Sequence, residues 1–231
     1  MVAAVSTSII LLGMLVSKCT TTSFSLAGEE RSRMVAAVAT WEFGALAVAE
    51  CATLLRTPTA SAMDAVERGI NQVELDDAEQ YYVGVGGLPN ADGVMELDAA
   101  VMDHKRRYGA VLALTDVATP VSVARSVLER SPHSVLCGAG ARAWAASQGF
   151  APKQDAALTD QSRDAWETWR NEKAARDASS SSSISSSGIN SSGGSAARVE
   201  GEHDTVGVIC LDGQGRLACG TSTRSVLDRG A

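Results

Sequence analysis

The sequence predicts a layered fold of strands and helices, either α/β or α+β. Three observations carry that expectation. Short β-branched apolar runs recur along the chain, Ala- and Leu-rich runs of helical spacing lie between them, and the order is strand, helices, strands, helices, loop, strands. An element with one apolar face has to bury it against another, and stacked layers do this. The chain is 45% apolar but only 4% aromatic, and Ala, Val and Gly dominate. Small side chains of this kind suit thin, closely packed layers.

Met34 to Thr40 is apolar and β-branched and predicts a buried strand. Gly44 to Arg56 is Ala- and Leu-rich and predicts a helix, broken by Thr57 to Ala60 with Pro58. Ser61 opens a second helix. Asp64 stands three positions on, where a capping box places Glu or Gln. Ala62, Ala65, Val66, Ile70 and Val73 then follow at helical spacing. Tyr81 to Gly87 and Val94 to Asp103 read as two strands around the turn Pro89 to Gly93. Tyr108 to Leu114 is a further strand. Thr119-Pro120 opens a helix to about Arg130, with Thr as N-cap and Pro at the first helical position. His133 to Cys137 is a short strand and Ala139 to Gln148 a helix. Ser179 to Ser195 is a serine tract. It has too little apolar surface to offset the entropy of ordering, and reads as a flexible linker containing a formal glycosylation acceptor at Asn190. Beyond it, Thr205 to Cys210 and the residues after Asp212-Gly213-Gln214-Gly215 form a hairpin.

The net charge of −7 and a pI near 5.0 argue against nucleic acid, which calls for a basic patch. The cysteines (Cys19, Cys51, Cys137, Cys210 and Cys219) show no metal-ligand spacing, and His104, His133 and His203 are scattered, so no metal site is expected. Cys210 and Cys219 lie on the two arms of the hairpin, offset by about two positions, which disfavours a disulfide. Residues 1–33 are expected to be a signal-like or unstructured extension. Ile9 to Val16 resembles the apolar centre of a secretory signal, although no positive charge precedes it. A signal would place the protein in a secretory or lysosome-like compartment. The run is too short to span a membrane, so no stable span is expected. Met1-Val2-Ala3-Ala4-Val5 recurs at Met34 to Val38, which fits an alternative start at Met34.

One motif misleads. Cys137-Gly138-Ala139-Gly140-Ala141-Arg142-Ala143 has the form of a dinucleotide fingerprint, but no strand with a terminal acid follows about 20 residues on. Tight helix–strand packing through small residues is the expectation there, and no cofactor is expected.

The chemically suggestive run is Gly201-Glu202-His203-Asp204-Thr205-Val206-Gly207-Val208. A threonine hydroxyl needs a base to become a nucleophile. A free α-amino group, with a pKa of about 7.7–8.0, can serve near neutral pH. Creating that amine on Thr205 means breaking the bond before it. The Thr205 hydroxyl can attack the Asp204 carbonyl to give an ester that water opens. Read without context, a threonine at a strand start is structural.

The context is an ordered series of motifs. Thr40-Trp41, Ser61 to Glu67, Val83 to Pro89, Leu97 to Asp103, Val123 to Glu129 and His203 to Gly207 resemble, in order, segments of the glycosylasparaginases. These belong to the N-terminal nucleophile hydrolases. The resemblance extends over most of residues 34–224. It implies an α+β four-layer αββα sandwich, with 34–178 as part of an α-chain, 179–200 as linker and 201–231 as the start of a β-chain. It implies that Thr205 is both the self-cleavage and the catalytic nucleophile, and that Thr223 hydrogen-bonds at it. Trp41 would line the substrate pocket, and His203 and Asp204 would flank the cleaved bond. The implied reaction is hydrolysis of the β-amide of glycosylated asparagine through an acyl-enzyme, without a cofactor, in a homodimer of processed αβ units.

The series departs from the family after Thr223. Arg224 to Ala231 matches neither the expected Gly-rich continuation nor the Arg and Asp that hold the substrate's α-groups. The expectation is therefore a chain incomplete at its C-terminus. Two other readings follow: an inactive paralogue that acts only by association, or a broader L-asparaginase or isoaspartyl peptidase.

Overall fold

The computed structural model describes residues 19–26, 33–77, 83–182 and 205–224. Five helices and seven strands form among them. The strands are β1 (Cys19–Leu26), β2 (Arg33–Thr40), β3 (Leu97–Met102), β4 (Tyr108–Leu114), β5 (Val135–Cys137), β6 (Val206–Leu211) and β7 (Leu217–Arg224). They make one sheet in the order β1-β2-β6-β7-β3-β4-β5. All neighbours are antiparallel except β4 and β5. The hairpin β6–β7 thus fills the middle of the sheet, between β2 and β3.

The helices are α1 (Ala45–Leu55), α2 (Ala62–Glu74), α3 (Pro120–Arg130), α4 (Gly138–Ser147) and α5 (Asp160–Ser182). Residues of α1 to α4 bury one face of the sheet. Alternate residues Val35, Ala37 and Ala39 of β2, Val206, Val208 and Cys210 of β6, and Ala99 and Val101 of β3 join Val66, Ile70, Val123 and Val127 of the helices in one core. The other face, carrying Ile209 and Leu217 among others, is open. The described residues therefore supply one sheet and one helical layer of the expected four.

The capping box at Ser61 forms in full. Ser61 Oγ accepts from the Asp64 N–H at 3.1 Å, and Asp64 Oδ2 accepts from the Ser61 N–H at 3.0 Å. Pro120 opens α3 as expected, though the Thr119 side chain makes no capping bond.

Five expectations are corrected. First, Cys19–Leu26, read as part of a signal-like or unstructured extension, pairs along its length with β2. Its Thr-rich, β-branched composition suits an edge strand. Second, the strand expected over 81–87 is absent from its described part. Gly84 and Gly86 adopt φ +68° and +80°, and the chain turns there instead of extending. A side chain at Gly84 would collide with the Glu74 carbonyl. The strand after it starts only at Leu97. Third, α5 was not expected and runs through Ser182, into the first four residues of the serine tract. Fourth, Cys219 faces Ile209 and Cys210 faces Ala218, so Cys210 and Cys219 are offset by one residue rather than two and point to opposite faces. Fifth, nothing lies within 4 Å of a side chain placed at Gly138 or Gly140, so these glycines do not serve close packing. Gly138 is needed for its φ of +50° at the turn into α4.

Candidate active site

The site is built where β2, β6, β7 and β3 run side by side. The last cross-strand pair of the hairpin is Val206↔Ser222. One step further along the same register sets Thr205 opposite Thr223. Thr223 is in turn paired with Asp98 of β3. Val206 and Ser222 are buried on the helical side, so alternation places Thr205, Thr223 and Asp98 in a row on the open face.

Thr205 is held from β2. Thr40 Oγ1 donates to the Thr205 carbonyl at 3.0 Å and accepts the Gly207 N–H at 2.9 Å. One hydroxyl thereby fixes the backbone on both sides of Val206, one peptide beyond the ladder that joins β2 to β6. Gly207 packs against this clamp: a side chain there would lie at ordinary contact distance, 3.5 Å, from Thr40 Cγ2. The Thr205 side chain is exposed.

Trp41, the next residue after Thr40, is half-buried and has φ +62°. That left-handed conformation is costly for a bulky residue and is common at functional sites. Asp98 Oδ1 accepts the Ala113 N–H at 2.7 Å, at the irregularity where β3 and β4 slip register.

Of the expected site residues, Thr205 and Thr223 are brought together, with Trp41 one residue from the Thr40 clamp. His203 and Asp204 lie outside the described residues. In the sequence Thr40 and Asp98 stand only as members of the Thr40-Trp41 and Leu97 to Asp103 motifs. Their placement depends on strands far away in sequence, which local pattern does not reveal. Arg224, next along β7, points to the helical side. It is buried there, and burial lowers its pKa to about 10. It cannot serve a site on the open face.

At the other end of the hairpin, Asp212 is 1% exposed and anchors the turn. It accepts from the N–H groups of Ala62, Gln214 and Arg216 and from Arg216 Nε, at 2.8 to 3.1 Å. Burial alone would raise its pKa. These donors outweigh that and hold it below the ordinary carboxylate value. Nearby, Arg125 of α3 bridges Asp64, Glu67 and Glu129 at 2.6 to 2.7 Å. A cleft of about 190 Å³ lies beside Asp212, Arg216 and Arg125, away from Thr205.

Cys51 and Cys210 meet inside the core, and that contact, with burial, pushes the Cys210 thiol up in pKa. Both are free thiols. Among the described residues no group of three or more His, Cys, Asp or Glu could hold a metal ion. Within them, too, no helix is long and apolar enough to cross a membrane.

Residues 25–228 match the asparaginase family. The chain is 38% identical over 187 residues to the N(4)-(beta-N-acetylglucosaminyl)-L-asparaginase of Elizabethkingia miricola, covering 80% of this chain and 48% of that one. It is 36% identical over 172 residues to the isoaspartyl peptidase/L-asparaginase of Rattus norvegicus, covering 73% and 45%. Against the human protein of that name it is 30% identical over 171 residues, covering 73% and 49%. The chain thus spans about half the length of the curated relatives it matches.

Proposed function

The chain belongs to the asparaginase family, as an N-terminal nucleophile hydrolase of glycosylasparaginase type, and on that premise we propose that it is an amidohydrolase activated by cleavage before Thr205. The observation that carries the proposal is the placing of Thr205. It stands opposite Thr223 on the open face, with its own carbonyl gripped by Thr40.

In the first step the Thr205 hydroxyl attacks the Asp204 carbonyl, and nitrogen is displaced to give an ester. Water then opens the ester, leaving Asp204 as a new carboxyl end and Thr205 with a free amine. That amine takes the hydroxyl proton when Thr205 attacks a substrate amide. The released amine leaves, and water hydrolyses the acyl-enzyme. Thr223 hydrogen-bonds at the nucleophile and Trp41 lines the pocket. His203 and Asp204 flank the bond that breaks.

The substrate proposed is the β-amide of glycosylated asparagine, which agrees with the name of the Elizabethkingia relative. The names of the rat and human relatives favour a second reading, a broader L-asparaginase or isoaspartyl peptidase. We further propose a dimer of processed units, and a secretory or lysosome-like location in glycoprotein breakdown. The location rests on the sequence of residues 9–16.

Mass spectrometry of the expressed chain tests the core of the proposal. A C-terminal fragment beginning at Thr205 is expected from the wild type and none from Thr205→Ala. A wild-type chain that stays intact sinks the reading. Parallel assays on glycosylasparagine and free asparagine then separate the two substrate readings.

A further inference from the structure

Beneath β7 lies a carboxyl for which the proposed chemistry has no use. Glu74, the last residue of α2, is fully buried. Its Oε1 accepts the Val121 N–H at 3.0 Å, in the first turn of α3. Among the described residues, its Oε2 and the Ser222 Oγ are the buried side-chain oxygens left without a hydrogen bond. Ser222 is close enough for its hydroxyl to oppose the rise in the carboxyl's pKa as a hydrogen-bonding neighbour, yet no hydrogen bond is closed between the two oxygens. Two neighbouring buried oxygens, each lacking a partner, are costly apart and cheap together.

We infer that Glu74 is a positioning residue for the Thr205–Thr223 pair: its Oε2 carries a proton, donates it in a hydrogen bond to Ser222 Oγ, and so ties β7 to the first turn of α3. The inference rests on Thr205 being the nucleophile. A carboxylate could accept from both Val121 and the Ser222 hydroxyl, but full burial disfavours the charge, and the neutral acid that remains accepts from Val121 and donates to Ser222.

Burial pushes the Glu74 carboxyl up to about 8. Ser222 and the Val121 N–H oppose the rise, and Glu67 on the same helix reinforces it. The charged groups on the surrounding elements are engaged elsewhere or face away. Arg125 of α3 is held by Asp64, Glu67 and Glu129, and the Arg224 side chain of β7 runs along Gly87. From β3, Leu97 and Ala99 present apolar groups to this layer, while Asp98 faces the open side. Ser222 and Thr223 are adjacent on one strand and point to opposite faces. Fixing Ser222 from below therefore fixes the backbone that presents Thr223 above.

The test compares the full wild-type chain with Glu74→Gln, Glu74→Ala and Ser222→Ala. Glutamine keeps the shape and an N–H donor at every pH, so it mimics the neutral acid. The folded-state pKa is raised from 4.5 to about 8, so the unfolded chain releases its proton first. Wild-type Tm should then fall as pH rises through that window and level off above it, and Glu74→Gln should lack this fall. Self-cleavage should survive in Glu74→Gln and slow by roughly ten- to hundredfold in Glu74→Ala, the scale of a misplaced reacting group. With Ser222→Ala in the background, exchanging Glu74 for Gln should change little. An infrared band for a protonated carboxyl at pH 6, lost in Glu74→Gln, gives a second readout if the Ala variant does not fold. Identical Tm profiles for wild type and Glu74→Gln, or no such band, overturn the inference. A wild type that never cleaves overturns the proposed function instead, and leaves Glu74 to the Tm profile and the band.

Discussion

The two faces of the sheet are made from the same strands and differ in almost everything else. Val206, Val208 and Cys210 of β6 point into the helical layer and are at most 1% exposed. Gly207 and Ile209, between them, look the other way, and Ile209 is 52% exposed. On the closed face the side chains, Ser222 and Arg224 of β7 apart, are mostly small and apolar and serve packing. On the open face, Thr40, Thr205, Thr223 and Asp98 bring hydroxyls and a carboxylate into one row. A strand's period of two thus separates the packing face from the face of the candidate site at single-residue resolution.

Substitutions on the two faces should therefore fall into separate classes. The largest effect is expected below the sheet. Ile70 is fully buried and lies under Gly220, so Ile70→Ala should cost roughly 2–5 kcal/mol in chemical denaturation. Next comes the anchor of the hairpin turn. Asp212→Asn should cost about 2 kcal/mol at pH 7, because it weakens charge-assisted bonds to a buried oxygen pair. The Asp212 pKa is lowered in the fold, so this stability is present above the ordinary carboxylate range. It is lost as pH falls through the depressed value. Denaturation curves of the two proteins should converge in acid; a gap that stays constant would contradict the assignment.

Thr40→Val keeps the shape and removes both clamp bonds. It should cost about 1 kcal/mol, and its larger effect should be on cleavage before Thr205, followed as fragment yield against time. Unchanged cleavage would break the link between the clamp and the site. The smallest effect is expected on the open face, where Leu217 is 54% exposed. Leu217→Ser should change stability by less than about 0.5 kcal/mol. A loss like that of Ile70→Ala would show that the open face is covered after all.

Much of this was legible in the sequence, for local reasons. Ser61 and Asp64 announce their own helix start, and β2, α1, α2, β4 and α3 follow from periodicity. Helix α5 escaped notice because it shows no apolar stripe: most of its residues are exposed, and its main anchors are buried Ser162 and Trp166, which packs on Gly93. The site was legible only through its motifs. Nothing near Thr40 in sequence says that its hydroxyl grips a carbonyl 165 residues away. Glu74 likewise reads as a polar helix end until β7 arrives to cover it.

That arrival has a consequence in time. Strands β6 and β7 are the last described elements to leave the ribosome, yet they occupy the centre of the sheet. Until they insert, β2 and β3 present unpaired edges, and closing the gap means bringing together segments far apart along the chain, a slow step in folding. The Thr40 grip on Thr205 cannot exist earlier. If the proposed cleavage before Thr205 takes place, the order of synthesis acts as a timer for it, since the Thr40 grip forms only when the rest of the sheet is waiting. The hairpin is held by ladders to β2 on one side and β3 on the other, so the proposed cut before Thr205 would leave it wedged in the sheet.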